Sequence, residues 1–340
     1  MRRCLIVGPS WVGDMIMAQG LYRALRAQYP AMQIDVLAPA WSGPILNRMA
    51  EVNRVIASPF GHGQFDLAGR RALARELRGE NYDWAIVLPN SWKSALLPWL
   101  ARIPRRTGFV GEFRYGLLND ARRLDKAGLP RLVDRYRALA DASPAGPDDY
   151  PHLTADPAKQ AASLARLGLS LDRPVLALCP GAEYGPAKRW PEAHYAAVAK
   201  AKREQGWQVW LFGSASDRPV CETIDALAGG GSHNLAGETS LEEVVDLLAC
   251  ARAVVSNDSG LMHVAAAVAL PVVAVYGSTD PGYTPPLSEQ ARVVRLGLEC
   301  SPCFKRECPL GHLDCLVKLE PVRVLDILDQ LNPPGVRSHS

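Results

Sequence analysis

The chain has 340 residues, 48% hydrophobic and 21% charged, with a formal net charge of +3. That size exceeds one ordinary domain and that balance excludes a disordered or fibrous chain, so two folded domains are expected. The longest uncharged apolar run, Val264 to Tyr276, is too short to span a bilayer and contains Pro271. The apolar residues after Met1-Arg2-Arg3 stop at Gly8-Pro9, as a first strand does and a signal peptide does not, so the cytoplasm is the expected location.

Arg3–Val7 reads as strand one, followed by Gly8-Pro9-Ser10-Trp11-Val12-Gly13-Asp14 and a helix with Met15, Ala18, Leu21 and Leu25 on its apolar face. Asp14-Met15 stands where a Walker loop needs Lys-Ser/Thr, and no G-x-G-x-x-G follows. What remains is a tight turn with a carboxylate, Asp14, at a helix start; it is either an N-cap or a reactive group at the mouth of a sheet. Strand-like segments recur at Gln33–Ala38, Arg54–Ala57 and Asp83–Leu88, with helical stretches at Pro44–Met49 and Ala68–Arg78 between them. This alternation predicts a doubly wound α/β fold.

Trp92 to Ile103 carries Leu96, Leu97, Leu100 and Ile103 and two tryptophans ahead of Arg105-Arg106, an apolar patch abutting a basic one. That pairing suits a peripheral membrane contact, core packing explains the apolar part equally, and Pro98 weakens a regular helix. From Ala101 to Arg137 ten Lys or Arg face four acids, a local excess of six. An anionic partner is implied (nucleic acid, acidic lipid or phosphorylated glycan), with a solvated basic face as the alternative. Ala142 to Pro157, rich in Pro, Asp and Ala, reads as the approach to a linker.

After a helix at Pro157–Leu167 the pattern restarts with a strand at Pro174–Leu178. Its loop, Cys179 to Pro191, is stiffened by Gly and Pro, and Lys188 can give a point charge to a phosphate. A strand at Gln208–Phe212 runs into Gly213–Asp217, and Thr239-Ser240-Leu241-Glu242 opens a helix with a capping-like start. Two further strands, Ala253–Ser256 and Pro271–Tyr276, bracket the turn Asn257-Asp258-Ser259-Gly260 and a small-residue helix, Leu261–Ala269. A helix N-terminus at the carboxyl end of a parallel strand suits a phosphate, and His263 can point to the same place. Two consecutive α/β halves imply a cleft to which each gives carboxyl-end loops.

Cys4, Cys179, Cys221 and Cys250 sit in apolar segments and read as core thiols. Cys300, Cys303, Cys308 and Cys315 form C-x2-C-x4-C-x6-C, which matches no common zinc template. Zinc, an iron–sulfur cluster, redox activity and plain packing all stay open, with a structural role favoured over a catalytic one. Pro321–Leu331 reads as an amphipathic helix and the tail after Pro333 as disordered.

Three motifs together (SWVGD at 10–14, PGAEYGPAKRWP at 180–191 and SNDSGLMH at 256–263) resemble the bacterial ADP-heptose:lipopolysaccharide heptosyltransferases. LPNSWKSALLPWLARIPRRTGF at 88–109 and PCFKRECPLGHLDC at 302–315 are most similar to the type II enzymes of that family, and the likeness runs from Arg3 to Leu331. The resemblance implies a GT-B fold, two Rossmann-like domains facing across a cleft. Residues 1–168 would bind the acceptor and 169–320 ADP-heptose, with the helix at 321–332 packing back toward the first domain. It implies inverting transfer of L-glycero-D-manno-heptose to the first heptose of heptosyl-Kdo2-lipid A. By the same resemblance Asp14 is the catalytic base. Lys188 and the Asp258-Ser259-Gly260 turn hold the diphosphate with His263 near them, Gly181 belongs to the donor-binding set, Asp217 meets the nucleoside where relatives often have Glu, and Thr239 lies beside the adenine.

The acceptor-side candidates are Ser10, Trp11, Gly13, Asn90, Lys93, Arg105, Arg106 and Arg114, the basic stretch meeting phosphates and carboxylates of lipid A and Kdo. The residue chemistry agrees: a base for the hydroxyl, a cation and a helix end for the leaving group, and no D-x-D anywhere in the chain. Neither a catalytic metal nor a cofactor is therefore expected, and the protein is expected to be a monomer, peripheral on the inner face of the inner membrane. The other readings are heptosyltransferase I or III, another GT-B nucleotide-sugar enzyme such as an epimerase, or a non-catalytic nucleic-acid-binding protein with a cysteine-held metal. The last is disfavoured because the basic stretch lacks interleaved aromatics and a recognition helix.

Overall fold

The structure, a computed structural model, describes residues 1–61 and 65–331. The expectation for the tail after Pro333 lies outside them. Short apolar runs ended by Gly, Pro or Asn become parallel strands covered on both faces. The first sheet contains β1 (Arg3–Val7), β2 (Gln33–Pro39), β3 (Arg54–Ser58), β4 (Trp84–Val87), β5 (Arg105–Phe109) and β6 (Asp120–Arg122), in the order β3-β2-β1-β4-β5-β6. The second contains β7 (Val175–Cys179), β8 (Gln208–Leu211), β9 (His233–Asn234), β10 (Ala253–Asn257), β11 (Val272–Val275) and β12 (Ala291–Val294), in the order β12-β11-β10-β7-β8-β9. All neighbouring strands pair in parallel.

Read from its other edge, the second sheet repeats the order of the first, and both have the doubly wound Rossmann pattern. In each, the order reverses between two central strands: β1 and β4 in one, β7 and β10 in the other. Loops leaving the carboxyl ends of such a pair diverge and open a crevice.

The chain divides into two compact units at Thr154–Ala155. In the first, helix Val12–Gln28 buries Met15, Ile16, Leu21, Tyr22 and Leu25 and packs against helix Leu132–Ala138. At the amino ends of the strands Asp35, fully buried, accepts from Tyr82 Oη (2.6 Å), Asn53 Nδ2 (3.0 Å), Arg54 Nη2 (3.1 Å) and Arg3 Nη2 (3.2 Å). Burial alone would raise its pKa, but these four partners outweigh it and the net direction is down.

Helix Pro157–Leu167 belongs to the second unit. Asp156 caps it through Ala158 N and Lys159 N, Gly168 ends it at φ 62°, and it packs on helix Leu241–Ala249. The latter begins on a capping box in which Ser240 and Glu243 bond each other's backbone N–H. Helix Pro321–Leu331 buries Val324 and Leu328 in the core of this unit, against helix Glu192–Glu204 and the β11–β12 edge. No helix among the described residues is long and apolar enough to cross a membrane.

Candidate active site

In the second unit the crevice between β7 and β10 is built around one buried amide. Asn257, the last residue of β10, donates from Nδ2 to Pro180 O (2.6 Å) and accepts on Oδ1 from Trp190 N (3.1 Å) and Tyr195 Oη (3.0 Å). Both ends of the loop leaving β7 are thereby tied to the end of β10. Within that loop Gly185 has φ +154°, and a Cβ there would lie 2.5 Å from Arg306 O, so only glycine fits. The 3-10 turn Pro186–Lys188 then brings Lys188 Nζ to 2.6 Å from Asp258 Oδ2 and 5.0 Å from the centre of the Tyr184 ring. Asp258 also accepts from Thr279 Oγ1 at 2.5 Å. The ammonium and carboxylate side chains are only 14% and 5% exposed, so the pair is shielded from solvent.

Ser259 occupies the N-cap of helix Gly260–Ala267 without a side-chain cap bond; its hydroxyl lies 3.2 Å from Ser256 Oγ. The N–H groups of the first turn are thus not engaged by that hydroxyl, beside an ammonium already in place. His263, one turn in, is buried, and burial lowers its pKa to about 4 against a partial upward pull from Asp258, with Lys188 adding to the fall. The imidazole is therefore neutral at neutral pH. Gly181 packs directly on Asp217, where a Cβ would lie 2.6 Å from Oδ2. Asp217 Oδ2 accepts from Ser214 N (2.9 Å) and Ser214 Oγ (2.7 Å), while Oδ1 lies 4.0 Å from Arg189. Part of its carboxylate therefore closes its own turn. Thr239 turns its hydroxyl to Leu235 O at 3.4 Å.

In the first unit Trp11 is the N-cap of helix Val12–Gln28, and Asp14 is the third helical residue, half-buried, in the first turn. The capping alternative falls away; what the helix gains from Asp14 is a carboxylate near its positive end. Ser10 and Trp11 are exposed, Gly13 lies in the same first turn, and Asn90 is exposed in the loop after β4. Ser10, Trp11, Gly13, Asp14 and Asn90 thus flank the β1–β4 crevice. Lys93 is half-buried in helix Trp92–Leu100, whose carbonyl at Lys93 accepts from Arg70 Nη1.

The arginines on the acceptor side are placed differently from expectation. Arg105 and Arg106 open β5, level with Trp84 and Ala85 and hence with Cys4 and Leu5. They lie at the amino end of the sheet, three rungs or roughly 10 Å back along the strands from the end that carries Asp14. Arg105 donates to Asp120 (2.9 Å) and stacks 4.1 Å over Trp84; Arg106 donates to Leu117 O (2.7 Å) and Ile103 O (2.6 Å). Arg114 is 1% exposed, with its guanidinium on Phe109 O, Pro89 O (2.5 Å) and Asn90 Oδ1 (3.2 Å), and burial lowers its pKa to about 10. It fastens the loops after β4 and β5 and orients Asn90. Arg122, Arg131 and Arg137 likewise pair with Asp141, Asp134 and Asp149, which leaves Arg102, Arg123 and Lys126 as the exposed cations of the basic stretch.

Among the described residues no group of three or more His, Cys, Asp or Glu side chains is arranged to hold a metal ion. The groups the sequence did not single out, Asn257 as anchor and Thr279 as the second partner of Asp258, depend on contacts 62 to 77 and 21 residues away.

The profile of glycosyltransferase family 9 (heptosyltransferase) matches residues 70–314. The chain belongs to this family. It is 49% identical to the lipopolysaccharide heptosyltransferase 2 of Salmonella typhimurium, over 97% of this chain and 98% of that one. The lipopolysaccharide heptosyltransferase 1 of Pseudomonas aeruginosa is more distant, 29% identical over 97% of this chain and 98% of its own length. The solved structure of the Escherichia coli ADP-heptose lipopolysaccharide heptosyltransferase II superposes with a TM-score of 0.84 at 47% identity, covering 97% of this chain and 98% of that one. The protein is thus an enzyme, a glycosyltransferase of α/β GT-B class most similar to type 2, and the type 1, nucleic-acid-binding and epimerase readings are not favoured.

Proposed function

We propose that the protein moves L-glycero-D-manno-heptose from ADP-heptose to the first heptose of heptosyl-Kdo2-lipid A, with inversion at the anomeric carbon. The observation that carries this reading is the shielded Lys188–Asp258 pair beside the start of helix Gly260–Ala267, at the strand-order reversal of the second unit. A diphosphate arriving there meets an ammonium and a helix N-terminus, and Asp258 with Thr279 holds the ammonium in position. The acceptor hydroxyl attacks the anomeric carbon, the bond to the β-phosphate oxygen breaks, ADP departs, and the hydroxyl proton passes to Asp14. Lys188 and the helix end carry the leaving group's charge, so no obligatory metal or cofactor enters the scheme. Asp217, Gly181 and Thr239 line the nucleoside side, with backbone rather than hydroxyl contacts from Thr239.

On the first unit Trp99 is 46%, Tyr115 65% and Phe113 94% exposed. These aromatics support peripheral contact with the cytoplasmic face of the inner membrane. Incubation with ADP-heptose and a monoheptosylated acceptor tests the reading: mass analysis should show one added heptose. An unchanged acceptor, or transfer of another sugar in preference, would overturn it.

A further inference from the structure

The loop from Cys300 to Cys315 lies directly behind the loop that carries Lys188. Ala187 N donates to Arg306 O at 3.0 Å, Tyr184 Oη to Phe304 O at 2.8 Å, and Phe304 N to Ser278 O at 2.7 Å. Gly185 closes against the same Arg306 carbonyl. Cys300, Cys303, Cys308 and Cys315 all line one cavity of about 20 Å³, with Ala187, Ser278 and His312 among its other walls. The four thiols thus share the wall of one cavity, and Cys315 feels the other three electrostatically. They are not equivalent. Cys300 is exposed and Cys308 partly so, but at Cys308 backbone N–H groups, that of Leu313 first and then those of Leu310, Gly311 and His312, turn toward the sulfur and lower its pKa. Cys315 is raised by burial and by the other three sulfurs. Lys305 and Arg306, both exposed, precede Cys308 by three and two residues, with Glu307 between.

We propose that Cys308 is a modification site for small anionic disulfides, and that a second thiol of the same cavity converts the mixed disulfide into an intrachain bond that displaces the Lys188 loop. The Cys308 thiolate attacks one sulfur of the disulfide; that S–S bond breaks, and the departing thiolate takes up a proton. The thiolate of Cys300, Cys303 or Cys315 then attacks the Cys308 sulfur and expels the second small thiol. Two protein thiols are oxidised to one disulfide as one external disulfide is reduced to two thiols. The bonds to the Arg306 and Phe304 carbonyls carry the change to Ala187, inside Lys188's turn, and to Tyr184, just before it. The effect on donor binding rests on the diphosphate reading of Lys188; the thiol chemistry does not.

The full-length protein is treated with oxidised glutathione and mapped by peptide mass, and ADP affinity is measured by calorimetry before and after. Cys308 is expected to react first, about tenfold faster than the other thiols. One intrachain disulfide that includes Cys308 should follow, and ADP affinity should fall about fivefold or more and return on reduction with dithiothreitol. Cys308→Ser should bind ADP as the reduced protein does and lack the fast reaction. Equal reactivity of the four thiols, a disulfide without Cys308, or thiols shielded by a stoichiometric metal in the purified protein would overturn the proposal. A mapped disulfide with unchanged ADP affinity, where Lys188→Ala does weaken ADP, would overturn the coupling. Lys188→Ala without effect on ADP would instead sink the diphosphate reading and leave the thiol site standing.

Discussion

Asp14 and Lys188 were legible because each is a charged side chain in a Gly- or Pro-rich loop just after an apolar run, where parallel sheets expose polar groups. Asp258 was legible as a position but not in its manner of working. A carboxylate repels a diphosphate, and the structure gives it Lys188 and Thr279 to hold instead. That difference is testable. Asp258→Asn removes the counter-charge of a shielded ammonium, so the unliganded protein should lose about 3 kcal/mol of stability, and ADP should raise its Tm more than it raises the wild type's. Equal thermal shifts would contradict the assignment. Asp14→Asn separates chemistry from folding, because Trp11 and not Asp14 is the N-cap: the dipole contribution of the carboxylate is worth about 0.3–1 kcal/mol, while turnover should fall at least about a hundredfold. Single-turnover kinetics beside a melting curve check both parts.

His263 carries a pH signature of its own. Its ordinary value is 6.5 and burial lowers it to about 4 in the fold, so between these limits the unfolded chain binds a proton that the native protein refuses. Its contribution to stability therefore falls as pH drops through that window, by about 2 kcal/mol from pH 7 to pH 5. Denaturation at both pH values should show this slope in the wild type and a shallower one in His263→Gln.

At the scale of elements, β1, β7, β10 and β11 declared themselves as short apolar runs, buried along most or all of their length. The strands β5 (RRTGF), β6 (DAR) and β9 (two residues) did not, since they are short, polar or at the sheet edge, and pairing rather than pattern makes them strands. This is also why Arg105 and Arg106 read as a ligand patch: charge counts along a segment carry no strand register, and register puts these two at the amino end. The stiffness of the loop after β7 was visible in its Gly and Pro, but its anchor, Asn257, is not near it in sequence. Asn257→Ala should free Pro180, Trp190 and Tyr195 together, raising the Kd for ADP while far-ultraviolet circular dichroism stays unchanged. A variant with native ADP affinity would show that the loop holds itself.

Across the whole molecule, one strand order is used twice, and each copy has a charged candidate residue at its own reversal point. The first carries a carboxylate in a helix's first turn; the second carries a cation beside a helix's start. The duplication was legible because a strand, a Gly-rich loop and a helix recur after residue 170. The division at Thr154–Ala155 depends on helix Pro157–Leu167 lying against Leu241–Ala249, a contact with no local signal in the sequence. The cysteine loop illustrates the same limit: its spacing marked it, but only folding shows it braced against the Lys188 turn.

The central claim is that the cation at the second reversal point receives the leaving diphosphate. Calorimetric titration of ADP into wild type, Lys188→Ala and Asp14→Asn tests it most directly. The account predicts weaker binding in Lys188→Ala by about tenfold or more, the loss of one charge-assisted bond, with Asp14→Asn matching the wild type. Equal ADP affinity in Lys188→Ala and wild type would contradict it.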